Sequence, residues 1–301
     1  MSLHSFKQRL EAALVAALYR FFGALPVDVA SDLGGWLGRT IGFNTGLSRR
    51  AYRNLRRVFP DMPKAEQDRI VRGMWDNLGR VAAEFPHLHE FRFGPGERIE
   101  VEGQENIDLL RDDGQPGIFF GGHIGNWELN GFCAAQNGVP IHLIYRAANN
   151  PHLSWLFDRR ASLGVHLVPK GSAGARLAID ALKNGAHLGL LMDQKMNDGI
   201  PVPFLGIPAM TAPALAQFAL RFKCPVVPAC VRRIDRCRFR LVVEKPLEIV
   251  DTGDRHADIL ALMVQVNNSL ERWIREAPEQ WLWLHNRWPE DVPNRDPDAA
   301  E

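Results

Sequence analysis

The sequence predicts an α/β fold, with a mixed, largely parallel central sheet flanked by helices and an N-terminal helical segment suited to a membrane surface. Three observations carry that prediction. First, apolar runs of strand length (GIFF, IHLIY, VHLV, LGLLM, PVVPACV and RLVVE) succeed one another between residues 117 and 244, spaced far enough apart for helices to lie between them. Second, residues 64–84 and 256–276 carry apolar positions at helical spacing around charged faces. Third, an apolar fraction of 46% with 24% charged residues is that of a folded chain and excludes a disordered one.

The elements follow in order. Residues 10–25 read LEAALVAALYRFFGAL, with no cleavage pattern of small residues, so an amphipathic helix lying in a membrane surface is expected rather than a removed leader. Behind it, residues 33–60 hold Arg39, Arg49, Arg50, Arg53, Arg56 and Arg57 and no acidic residue, a basic field that attracts anionic head groups, nucleic acid or an acidic protein. The apolar helix beside the arginines favours the membrane over nucleic acid. Lys64 to Glu84 predicts a helix through Ile70, Met74, Trp75, Leu78 and Val81, and ERIEVEG at 97–103 alternates as a strand does. Further helices are predicted over Ser172–Asn184, over Thr211–Phe222 with Thr211 as N-cap, and over His256–Glu276. Residues 1–45 are thus expected to be a membrane-associating helical segment, 46–293 one α/β domain, and 294–301, polar and Pro-rich, a frayed tail.

Several chemistries are excluded. The four cysteines have no C-x-x-C spacing and sit in or beside apolar runs, which suggests neither a disulfide framework nor a zinc site, and a cytoplasmic setting is expected. No H-E-x-x-H, G-x-G-x-x-G or G-K-[ST] occurs, so neither a metal nor a nucleotide cofactor is expected. No G-x-S-x-G supplies a nucleophile.

The informative stretch is IFFGGHIGNWELNG at 118–131: a strand, a Gly-Gly bend, His123 on the loop, Asn126 as a natural N-cap, and a helix from about Trp127. Loops leaving the carboxyl ends of strands are where α/β sheets hold ligands. On one continuous helix His123 and Glu128 would lie about 140° apart. With His123 on the loop and Glu128 in the first turn, the carboxylate can hold one imidazole nitrogen while the other faces a substrate hydroxyl. A lone H-x4-E serves equally well as a turn histidine with a glutamate that satisfies the helix dipole.

Five ordered blocks, GGHIGNWELNG, YRAANNPHLSWLFDRRASLG, LGLLMDQK, VPFLGIPAMTAPALAQFALRFKCPVVP and PEQWLWLHNRWP, resemble those of the lipid A biosynthesis late acyltransferases, lauroyl and myristoyl type. These belong to the wider glycerolipid acyltransferase-like group marked by H-x4-D/E. The resemblance implies O-acyl transfer from an acyl carrier protein thioester to a hydroxyl of a phosphorylated glycolipid at the cytoplasmic face of the inner membrane. It implies His123 as base with Glu128 as its partner, Arg160 as a site arginine, and Asn126, Arg146, Asn149, Lys170, Asp193 and Gln194 as substrate-binding residues. Arg146, Lys170 and Arg176 are the candidates for phosphate, and backbone N–H groups near Gly125 and Asn126, or Arg160, for the oxyanion. Residues 10–25 are less apolar than the helix with which such proteins usually begin. Two alternatives stay open: the same chemistry on another amphiphile, such as a glycosylated phosphatidylinositol, and a non-catalytic lipid-binding protein on the same fold.

Overall fold

A computed structural model describes residues 3–288, with side chains from Phe6 onward. The tail expected to fray at 294–301 lies outside the described residues, as do residues 289–293 of the expected domain.

Four helices come first: α1 (Leu3–Gly23), α2 (Val27–Thr40), α3 (Ser48–Val58) and α4 (Lys64–Glu84). The helix read from Lys64 to Glu84 is α4, and its buried face carries Ile70, Val71, Met74, Trp75 and Val81. Helices α2 and α4 approach closely because both present glycine at the crossing; a Cβ at Gly79 would lie 2.1 Å from the Gly34 carbonyl oxygen. On α1, Phe6, Leu10, Leu14, Leu18 and Phe21 recur at three or four residues and are exposed, an apolar stripe facing away from the core. No helix among the described residues is long and apolar enough to cross a membrane.

The α/β part then runs β1 (Ile99–Glu102), α5 (Gln104–Asp112), β2 (Ile118–Gly121), α6 (Leu129–Gln136), β3 (Ile141–Tyr145), α7 (Trp155–Ala161), β4 (His166–Pro169), α8 (Ser172–Lys183) and β5 (His187–Leu191). It continues through β6 (Ile200–Phe204), β7 (Ile207–Thr211), α9 (Ala214–Phe222), β8 (Val226–Asp235), β9 (Arg238–Val243) and α10 (Arg255–Glu276). Every apolar run singled out in the sequence is a strand of one seven-stranded sheet, in the order β1-β9-β8-β2-β5-β3-β4. All neighbours are parallel except β8 and β9, so the mixed, largely parallel α/β class holds. The four cysteines are buried and free.

Two expectations need correction. Thr211 does not cap a helix. It ends β7, one arm of a separate β6–β7 hairpin, and its buried hydroxyl donates to Ala209 O and accepts from Arg287; α9 starts three residues later. The helix expected near Trp127 begins at Leu129, because Asn126 caps a tighter turn, accepting from the Glu128 N–H at 3.3 Å.

The segment after α10 returns to the sheet. Residues 124 and 281 form an antiparallel bridge, the Leu282 N–H donates to His123 O at 3.1 Å, and the Gly125 N–H donates to Gln280 O at 3.2 Å. Trp281, Trp283 and Trp288 are thereby sunk in the core with Trp273 of α10. Closing the core is thus their role; none of the three is left at the surface.

A clasp joins α1 to the other end of the sheet. The buried Asn150 donates through Nδ2 to Gln8 O at 2.8 Å and to Glu11 Oε2 at 3.1 Å, and Tyr19 meets Trp155 edge-on at 4.9 Å.

Candidate active site

Strands β2 and β5 are parallel neighbours with Gly121 opposite Leu191. Two residues beyond each lie His123 and Asp193, so the register itself sets an imidazole beside a carboxylate at the sheet's carboxyl edge. His123 Nδ1 is 2.8 Å from Asp193 Oδ1, and the His123 backbone N–H donates to Oδ2 at 2.8 Å. The Trp281 indole N–H gives Oδ2 a second bond of 2.8 Å. Asp193 is completely buried, while the His123 side chain keeps 13% of its surface exposed. Burial by itself would raise the Asp193 carboxyl. The charge of the facing imidazole and its hydrogen bond outweigh burial and hold that carboxyl well below the usual carboxylate range. With Asp193 ionised, Nδ1 carries its proton toward the carboxylate, and in the neutral form of the ring the lone pair is then on Nε2.

Glu128 is not the partner of His123. It forms a forked ion pair with Arg160 of α7, in which Arg160 Nε donates to Oε2 at 2.7 Å and Nη2 donates to Oε1. The cause is geometric. Asp193 takes both the ring and the backbone donors of His123, whereas the turn at 126–128 sends Glu128 toward α7, whose guanidinium stacks between Phe85 and Phe157. The pairing read from H-x4-E is therefore corrected in favour of Asp193, a residue placed by strand order.

The other expected residues divide. Gln194 Nε2 lies 3.4 Å from His123 Nε2, at the mouth of the pair. Arg146 and Asn149 are exposed and meet at 3.5 Å. Lys170 is beside them electrically, its ammonium pushed below its usual value by partial desolvation and by Arg146, with Asp193 opposing. Asn126 is brought to the loop but not to its surface: it is fully buried and donates to Glu84 Oε2 at 2.8 Å, so in this conformation it offers nothing to a substrate. Glu84 is itself fully buried and bridged by Arg233 of β8, which fixes the loop from beneath.

Gly125 has a positive φ of +56°, and a Cβ there would lie 2.2 Å from Val231 O, so only glycine lets the loop turn so close to β8. Its N–H, one of the oxyanion candidates, is already committed to Gln280 O. Arg160 is likewise committed to Glu128.

Residue-by-residue reading of the sequence misses His285. Its ring meets His123 at 4.7 Å, edge-on, and its Nε2 is buried without a hydrogen-bond partner among the described residues. Burial pushes its pKa down to about 4, against the pull of Asp193. The signal that could have found it is its place inside the block PEQWLWLHNRWP, four residues after the tryptophan that binds Asp193.

A family model described as bacterial lipid A biosynthesis acyltransferase matches residues 4–290. The chain is 27% identical over 289 residues to the lipid A biosynthesis lauroyltransferase of Escherichia coli K12, covering 90% of each chain. It is 25% identical over 275 residues to the lipid A biosynthesis palmitoleoyltransferase of the same organism, covering 88% of this chain and 86% of that one. It is also 24% identical over 285 residues to the phosphatidylinositol mannoside acyltransferase of Mycolicibacterium smegmatis, covering 92% and 91%.

Proposed function

Because the chain belongs to the bacterial lipid A biosynthesis acyltransferases and so is an enzyme of acyl transfer to lipids, we propose that it moves a fatty acyl chain from an acyl carrier protein thioester to a hydroxyl of a phosphorylated lipid A precursor. The observation that carries the mechanism is the His123–Asp193 pair at the sheet edge. His123 Nε2 takes the hydroxyl proton as the oxygen attacks the thioester carbonyl. Asp193 holds Nδ1–H, keeps the ring turned to the substrate and stabilises the imidazolium that forms. Attack makes the C–O bond; on collapse of the intermediate the carbonyl re-forms, the C–S bond breaks, and the proton on His123 goes to the departing thiolate. Base help of this kind contributes about 10² to 10⁴ in rate.

Arg146 and Lys170 are the groups for the acceptor's phosphate, with Asn149 and Gln194 beside them. The ion pair of Glu128 and Arg160 walls the site on the α7 side, so Glu128 acts by holding Arg160. The exposed stripe of α1 supports attachment at a membrane surface, and an acyl carrier protein donor would put that surface on the cytoplasmic face. A second reading keeps the chemistry and changes the acceptor, since the similarity to the phosphatidylinositol mannoside acyltransferase nearly equals that to the lauroyltransferase.

The test is an assay in detergent with lauroyl- or myristoyl-acyl carrier protein and a tetra-acylated, Kdo-bearing lipid A precursor, read by mass spectrometry. A gain of one acyl mass, absent with His123→Ala, is the expected result. An intact thioester with this acceptor but turnover on a mannosylated phosphatidylinositol supports the second reading. No acylation of either acceptor would sink both.

A further inference from the structure

We infer that His123, Asp193 and His285 form a binding site for a transition-metal dication of the zinc type, and that the bound metal blocks acyl transfer. One ligand atom from each of the three lies within 4.8 Å of both others. Two imidazoles and one carboxylate are a donor set that zinc takes in three-ligand sites, leaving a fourth position open, whereas magnesium and calcium ask for oxygen. Zinc holds such ligands at about 2.0 to 2.2 Å, so the donor atoms of a tetrahedron stand roughly 3.3 Å apart. Closing from 4.8 Å asks for movements of about an ångström, within reach of small side-chain rotations.

Two features favour occupancy. Among the described residues the buried Nε2 of His285 has no hydrogen-bond partner, in a site where Asp193 and the His123 backbone have theirs. A buried nitrogen without a partner costs free energy until something binds it. In addition, Asp193 Oδ2 is fixed by the Trp281 indole and the His123 backbone, while Oδ1 is held only by the His123 ring. Oδ1 can therefore turn to a metal with its carboxylate still oriented from behind, the arrangement in which outer partners hold a ligand in place. If Nδ1 takes the metal, its proton moves to Nε2, which then has no lone pair for a hydroxyl; if Nε2 takes the metal, the lone pair is occupied directly and Nδ1 keeps its proton. Either way the base is lost, and nothing is oxidised or reduced.

In the test, full-length protein stripped with EDTA is titrated with Zn²⁺ alone by calorimetry, with Co²⁺ absorption in parallel. The expected result is one ion per chain, a tetrahedral cobalt band in the visible, and binding weakened at least about tenfold by His285→Asn and by Asp193→Asn. His256→Asn, at an exposed position of α10, should bind as the wild type does. Equal binding by wild type and His285→Asn overturns the site. So does an absent or octahedral cobalt spectrum in the wild type, a reading that stands even if the variants fail to fold. Loss of transfer should track the binding curve and be restored by EDTA, and this arm alone rests on the function proposed above. Zinc bound through the three residues by a chain that never transfers acyl groups would keep the site and sink the function. Full turnover with the site occupied would overturn the block.

Discussion

His123 and Glu128 stand five residues apart in one loop, yet the contacts that hold them are built in different ways. The Asp193 that holds His123 sits at the end of the neighbouring strand, is completely buried, and accepts three hydrogen bonds, two of them from His123 itself. The Arg160 that holds Glu128 comes from the seven-residue helix α7, and the two side chains keep 24% and 10% of their surface exposed. One pair is set by sheet register, which fixes the backbones that carry both side chains. The other joins a turn to a short helix through a forked bond between side chains that are less deeply buried. Strand order fixes the first; only the meeting of two side chains fixes the second.

Breaking the comparison at its buried end should produce the largest effect. His123→Ala should lower transfer by about 10² to 10⁴, read by product mass spectrometry, with the melting temperature little changed. Asp193→Asn should approach the same loss, since an amide no longer favours the Nδ1–H tautomer, and should also lower the melting temperature because a buried acceptor is replaced in part by a donor. If Asp193→Asn keeps wild-type turnover while Glu128→Gln abolishes it, Asp193 is not the partner of the base and Glu128 is.

At the exposed end, Arg160→Ala should act mainly on KM, by roughly tenfold, because it removes a wall rather than a proton path. A fall in kcat as deep as that of His123→Ala would put Arg160 at the reacting atoms. Trp281→Phe removes one hydrogen bond from Asp193 and keeps an aromatic ring, so a smaller drop in kcat of a few fold is expected.

The smallest effect concerns acid stability. His285 has a folded pKa of about 4 against an ordinary 6.5, so between those values the unfolded chain binds a proton that the folded chain refuses. Its contribution to stability is therefore present above about pH 6.5 and falls away as pH drops toward 4. The melting temperature of the wild type should decline across that window, and His285→Asn should flatten the decline; an unchanged slope would remove His285 from the account. Asp193 is also shifted down, with a folded value below the unfolded one, so its contribution is present above the usual carboxylate range and is lost only in stronger acid than the window of His285.

How much of the molecule is legible in its sequence differs between the two pairs. The strand runs, the helix from Lys64 to Glu84 and the loop carrying His123 are all readable, because each is a local pattern of apolar residues and glycines. That β5 lies beside β2 is not, since strand order depends on which helices cross over and leaves no mark on the strands themselves. Without that order Glu128, near in sequence, looks like the partner of His123, and Asp193, seventy residues away, looks like a substrate contact. The β6–β7 hairpin is hidden by Pro201, Pro203 and Pro208, which break the usual strand signature and are tolerated because the two-stranded sheet has free edges. His285 is hidden for the same reason as Asp193, reaching the site through a return of the chain from α10.

The clasp between α1 and Asn150 bears on how the protein can be handled. Gln8, Glu11 and Tyr19 supply partners to Asn150 and Trp155, at the start of the helix that carries Arg160. Cutting the chain after Gly23 to obtain a more tractable protein would strip those partners from a buried amide and bare an indole on the α7 flank. A shortened protein with altered KM would then be reporting on a loosened wall as well as on the loss of the apolar stripe, and should not serve as the reference for either.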